Sequence, residues 1–252
     1  MAAPNRWAVR EAAEATFYDL ESKLPRVTLR TLKMTEVQTT GETVYAMGGR
    51  GNAKLVGFSG NREATMALQD AIFDNEALAM LTGNAVTTGE RTLQKFHEAT
   101  LGADLTINLP FTPNVTALQV HPVIAGALEE ALVLTTGYTA TGKVVTVVAG
   151  AEAGDKVRVY YETTIGSAKT ITVTASDFGG TFRLVADVLV RDAETSKVYY
   201  AQFIAPKAKI EDDFTFSFSP DGDPSVLDIP LQLLKDSASD NMWELVIYDE
   251  EV

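Results

Sequence analysis

The sequence predicts a mainly β fold, an antiparallel β-sandwich or barrel with one or two short flanking helices. Three observations carry this expectation. Apolar and polar residues alternate in Glu63–Gln69, Thr181–Arg191 and Phe214–Ser219, the period of a half-buried strand. Clusters of Gly, Asn, Ser and Pro punctuate the chain between such runs, the spacing of a sandwich or barrel. Helix start and stop signals coincide clearly in a single short stretch. There, Asp74 or Asn75 can cap the first turn, Glu76 suits it, and Gly83 can end the helix in the left-handed conformation.

Taken in order, Asn5 to Ala15 has Trp7, Ala8, Ala12 and Ala15 toward one side and reads as a short helix. Thr16 to Leu20 is extended, Val27 to Leu32 alternates, and the Thr-rich run Met34 to Met47 is strand or extended loop. The glycines Gly48, Gly49 and Gly51 lead into a short apolar strand, Lys54 to Phe58. Ser59-Gly60-Asn61 reads as a turn, so that Glu63–Gln69 returns as the second strand of a hairpin. On that strand Ala64, Met66 and Leu68 share the apolar face, and Glu63, Thr65 and Gln69 the polar one. The helix follows, with Leu78 and Leu81 in its apolar stripe as the packing residues.

Asn84 to Phe96 is polar and reads as loop, and Asp104 to Leu109 alternates until Pro110 stops it. Pro122 to Leu134 is ambiguous: Val123, Ala127, Leu128 and Ala131 have helical spacing, but Gly126 weakens a helix. Three β-rich runs follow, Lys143–Val148, Asp155–Glu162 and Lys169–Ala175, divided by glycines and Ser167. Thr181–Arg191 is a long strand whose second face carries Val185 and Leu189. Those two call for cover from the protein's own helix or from another subunit. Ala193 to Ser196 turns, and Val198 to Ile204 returns. Asp221-Gly222-Asp223-Pro224 is a turn, and Leu227, Ile229, Leu231 and Leu233 form an apolar row. Pro230 cannot donate a ladder bond, which places that row at an edge or a bulge. Trp243, Leu245 and Ile247 mark the last strand.

The chain reads as one β domain over 1–252, with an inserted or elaborated β region at about 113–175. Its 46% hydrophobic content is ample for a sizeable core, and 22% charged residues argue against global disorder. The absence of cysteine excludes disulfide scaffolds, zinc–thiolate sites and thiol nucleophiles. A net charge of −13 offers no basic face for tight binding to a phosphate backbone. The first residues lack the apolar core of a signal peptide, and no run approaches the ~20 apolar residues of a membrane helix. The expectation is synthesis in a cytoplasm and no membrane.

No constellation for catalysis, cofactor or metal emerges. His97 and His121 have no second ligand at metal spacing. Gly48 to Lys54 lacks the Lys-Ser/Thr pair of a phosphate loop and precedes a strand, not a helix. Asp221, Asp223 and Asp228 are not followed by the closing glutamate of a calcium loop. Asp212-Asp213 is an acidic pair with no visible counterpart across a cleft.

Two blocks carry a family resemblance. Gly49-Arg50-Gly51-Asn52, Arg62-Glu63-Ala64-Thr65, Gln69-Asp70-Ala71 and Leu78-Ala79-Met80-Leu81-Thr82-Gly83 form the first. The second runs from Gln202 to Lys209, through Phe214 to Ser219, and on through Asp221-Gly222-Asp223-Pro224-Ser225. In order and spacing the blocks resemble tail tube proteins of tailed bacteriophages. The Gly-Thr-Val-rich middle, Ala140 to Ala175, departs from that pattern. The resemblance implies a sandwich or barrel of tail-tube type with the helix Asp74 to Thr82 packed on it. It implies a structural virion protein of the tail, not an enzyme, made in the host bacterium. Its subunits would assemble into rings, commonly hexameric, that stack into a tube for DNA passage. Partners would be other copies of the chain and the tail sheath, baseplate and tape-measure proteins, with DNA only as passing cargo. Two polar sets are candidates for the lumen: Glu63, Thr65 and Gln69, and Thr215, Ser217 and Ser219. A capsid decoration or baseplate protein, and a carbohydrate-binding β module, are the alternative roles.

Overall fold

Backbone pairing between distant segments organises the computed structural model, which describes residues 3–124, 126–215 and 225–249. In chain order come β1 (Trp7–Val9), β2 (Glu14–Asp19), β3 (Pro25–Leu29), β4 (Leu32–Gly48) and β5 (Ala53–Asp70). The helix α1 (Asn75–Thr82) follows, then β6 (Thr87–Thr100), β7 (Thr106–Asn108), β8 (Gln119–Ile124) and β9 (Ala127–Leu128). After these come β10 (Tyr138–Thr141), β11 (Val144–Val147) and β12 (Lys156–Thr170). The chain continues with β13 (Thr181–Asp192), β14 (Val198–Ile210), β15 (Leu227–Leu233) and β16 (Glu244–Tyr248). The pairings between these strands are antiparallel, and the class is mainly β with one α-helix among the described residues. The chain divides into two compact units, 1–86 with 171–252, and 87–170. The second begins at β6, which pairs along β12, and ends at Thr170, so it covers 113–170 and leaves 171–175 to the first unit.

The first unit is a nine-stranded sheet in the order β3-β2-β13-β14-β15-β5-β4, with β1 added to β13 and β16 to β14. The main core of this unit includes Phe17, Leu29, Met66, Leu68, Leu184, Ile210, Leu231 and Leu233, and a smaller cluster gathers Val190, Tyr199 and Ala201. The helix closes on the main core through Leu78 and Leu81. Its ends follow the sequence signals. Asp74 accepts the Glu76 and Ala77 amides, and Gly83 takes φ +69° as the left-handed cap. Asp70, buried at the end of β5, accepts the Thr31 hydroxyl and the Ile72 amide, which fixes the chain's departure toward α1.

The second unit packs a four-stranded sheet, β6-β12-β8-β9, and a three-stranded sheet, β10-β11-β7, around its own core. Val157, Val159 and Tyr161 are buried at alternate positions of β12 and join Val120, Val145 and Val147 in that cluster. Tyr138 is buried there and donates its hydroxyl to the Leu118 carbonyl at 2.6 Å, so its polar tip is satisfied.

Several sequence expectations differ from the structure. Asn5 to Ala15 is not a helix: it holds β1 and the start of β2. Ala13, Ala15 and Phe17 are buried at alternate positions, and pairing with β13 overrides the local helical spacing. Ser59-Gly60-Asn61 is not a turn, since β5 runs through it. The turn lies at Gly49–Asn52, where Gly49, Gly51 and Asn52 all have positive φ. Asn61, at φ +47°, sits beside a register shift opposite Thr40 and Glu42, so the signal marks a bulge.

Asn84 to Phe96 is not loop but mostly β6, whose polar residues are exposed because the strand is held by backbone pairing to β12. Pro122 to Leu134 is not helical: β8 and β9 turn at Gly126, φ +85°. The break at Gly166-Ser167 is a bulge within β12, which ends at Thr170, so 171–175 carries no strand. Pro230 is not on an edge strand, since β15 lies between β14 and β5. The pairing of β14 with β15 ends at Ile210–Leu231, and the Pro230 carbonyl accepts the Glu211 amide on that side. The proline's missing donor therefore falls where the β14 ladder has already stopped. Phe214 and Thr215 belong to no strand, and Phe216, Phe218 and the turn Asp221 to Pro224 lie outside the described residues.

Candidate assembly surface

The β4–β5 hairpin has two parts. Near the core, Ala64, Met66, Leu68 and Asp70 are buried at alternate positions of β5. Beyond them, every residue from Glu36 to Met47 and from Ala53 to Glu63 is exposed. From the Thr40–Glu63 pair outward, past the last β15 partner at Ala64, the hairpin is a two-stranded arm whose residues are exposed up to Met47 on β4 and from Ala53 on β5. Cross-strand register pairs Val44 with Phe58 and Ala46 with Val56, which puts all four on one face. Leu55, at the shift between Ala46 and Met47, approaches Gly48 and joins them. Val44, Leu55 and Phe58 are 69%, 65% and 63% exposed. The other face is mixed, with Lys54 Nζ lying 4.1 Å from the centre of the Tyr45 ring.

A second feature is the outer edge of β4. This strand is 17 residues long and ends the sheet. Monomeric proteins shorten or block such edges, because unpaired N–H and C=O groups recruit another strand. By contrast, β13 has its own neighbours on both edges, β1 and β2 on one and β14 on the other. Val185 on its second face is buried, and Leu189 is 39% exposed.

The polar residues of β5 fall on the face opposite the core. Glu63 and Thr65 are exposed and Gln69 is half-buried. Across the ladders Thr65 sits between Gln38 and Gln232, and Gln69 between Met34 and Asp228. Thr215 is exposed, and it lines one shallow depression with Gln69, Asp213, Asp228 and Pro230. One member of each polar set thus meets at the same place. Ser217 and Ser219 lie outside the described residues.

Residues weighed for chemistry take other parts. His121 Nδ1 lies 2.9 Å from the Glu129 carbonyl, an acceptor, so that nitrogen carries the proton. His97 stands on β6 opposite Val159. Among the described residues no three His, Asp or Glu side chains come together as a metal site. Gly48 to Lys54 is the tip of the hairpin, and Asp212 pairs with Lys209 at 3.3 Å. No helix among the described residues is long and apolar enough to cross a membrane. The run Lys54 to Phe58 is legible in the sequence as an apolar strand; that its side chains stay uncovered is not.

No curated protein is similar to the chain at a significant level. A family model, that of the YomU/Tube protein family, matches residues 7–246 and so takes in the whole arm and the whole second unit. The chain belongs to this family of phage tube proteins.

Proposed function

We propose that the protein is the self-assembling subunit of a phage tail tube, forming stacked hexameric rings around a channel for DNA. The observation that carries this reading is the β4–β5 arm. Its apolar face is exposed in the single chain, and its β4 edge ends the sheet over a long strand. A second copy that covers the face and adds to the edge satisfies both at once. The family membership supports a structural role in the virion tail.

In this reading, the polar face of β5 lines the channel. Glu63, Thr65 and Gln69 share that face with Gln38, Asp228 and Gln232 of the flanking strands. Carboxylates repel phosphate and amides gain nothing from counterion release, so DNA slides without sticking. Thr215 extends the same surface, and Ser217 and Ser219 complete the candidate set. Sheath, baseplate and tape-measure proteins are the further partners.

Electron microscopy of the purified chain, alone and with its tail partners, tests the proposal. Rings or tubes are expected, with the polar face of β5 inward. A strict monomer under both conditions, or a lumen lined by basic residues, overturns it. Binding to preformed capsids without polymerisation would assign the chain to decoration instead.

A further inference from the structure

The second unit carries an aromatic and charged surface of its own. The face of β6-β12-β8 opposite its core is set by the strand register. One row across it reads Phe96, Tyr160, Gln119, and the next Glu98, Arg158, His121. Phe96 is 68% exposed. Its ring centre lies 6.3 Å from that of Tyr160, the two planes inclined by 37°. His121 meets Tyr160 edge-on at 5.8 Å. Beside the rings, Arg158 donates from Nε and Nη2 to Glu98 Oε2, at 3.1 and 2.7 Å. Both side chains remain about one third exposed, at 35% and 37%. The Arg158 hydrogen bond is also the main cause that holds the Glu98 carboxyl below its usual pKa.

We propose that this face is a binding platform for neutral pyranose glycans, with Phe96 and Tyr160 as the stacking surface and Arg158 and Glu98 as the hydroxyl-binding pair. The C–H face of a pyranose is weakly positive and matches the negative face of an aromatic ring. Its vicinal hydroxyls need donors and acceptors held side by side, which the Arg158–Glu98 pair supplies with little rotamer freedom left to lose. Charge decides the class of glycan. Lys156 and Arg158 on this face are matched by Glu98 and Glu162, so a polyanion gains no net attraction.

Glycan binding does not depend on tube assembly, and the two are read separately. The full chain is mixed with chitin, cellulose and cross-linked dextran beads, with sulfated dextran beads as the polyanion control, and spun at low speed. Retention on at least one neutral polysaccharide is expected. Phe96→Ala and Tyr160→Ala should each weaken it by about tenfold, while leaving rings or tubes intact. The arm variant Phe58→Asp should leave retention unchanged. No retention on any neutral polysaccharide, retention on the sulfated beads alone, or full retention by both aromatic variants overturns the proposal. So does loss of assembly in a folded Phe96→Ala chain, which would make the face a subunit contact.

Discussion

The two halves of β5 share one backbone and obey opposite rules. From Ala64 to Asp70, side chains alternate between the core and the surface, and the buried apolar ones pack on residues of this same chain. From Ala53 to Glu63 every residue is exposed, although Leu55, Val56 and Phe58 are as apolar as anything in the core. The first half stabilises the subunit. The second holds apolar surface that no other described residue covers; in the proposed tube a neighbouring copy covers it, and its contribution then appears on assembly. In the proposed tube, folding and association are separated within a single strand, and substitutions can test that separation.

The largest effect is expected in the distal half. Phe58→Asp places a charge in the exposed apolar face, and burying it against a second copy would leave the charge unpaired. Rings and tubes should be lost altogether, as seen by electron microscopy. Unfolding of the free subunit should shift by no more than about 0.5 kcal/mol, as for other exposed sites. A variant that assembles normally, or one that fails to fold, would show that the two halves are not separable in this way.

The inner region predicts the reverse. Leu78, on the helix that closes the core, is 5% exposed. Leu78→Ala should cost about 2–5 kcal/mol in denaturant unfolding. Chains that remain folded should still form rings, because the arm is untouched. A stability change within error would mean that the helix contributes no packing.

How far the sequence shows this architecture depends on where each segment finds its partner. The inner half of β5 is legible because its buried residues lie on one face at a regular period, β13 because its sequence alternates even though Val185 on the second face is buried too, and the helix because Asp74 and Gly83 mark its ends locally. β6 is illegible for a physical reason: Thr87 to Gln94 is exposed throughout, so no apolar period exists, and its pairing with β12 is a long-range backbone matter. The N-terminal strands fail similarly, since Ala8 acquires strand geometry from β13, and Ala15 from β13 on one side and β3 on the other. Pro230 misleads because its effect depends on where the β14 ladder ends, a fact of register alone. Of the candidate site, the polar alternation of Glu63, Thr65 and Gln69 is readable, whereas the uncovered state of Leu55 and Phe58 needs the structure. The aromatic face of the second unit is assembled from three strands and leaves no local motif.

The smallest effect comes from one substitution made at two glycines. At Gly83 the backbone has φ +69°, and an added Cβ would meet the Phe178 carbonyl oxygen at 2.3 Å. Gly83→Ala should therefore cost more than about 1 kcal/mol, from the left-handed conformation alone, with the clash added to it. Gly60, in the arm, has no positive φ to protect, and a Cβ there meets nothing within 4 Å. Gly60→Ala also reduces the freedom of the unfolded chain, so the free subunit should be unchanged or stabilised by about 0.4–1 kcal/mol. Calorimetry of the dilute subunit reads this directly. The informative result comes from the assembled state. If a neighbouring copy lies against the arm at Gly60, a methyl group harmless to the monomer will raise the concentration at which rings form. If the ring-forming concentration and the monomer's stability both stay the same, the contact runs through the apolar face of Val44, Val56 and Phe58 and does not reach Gly60.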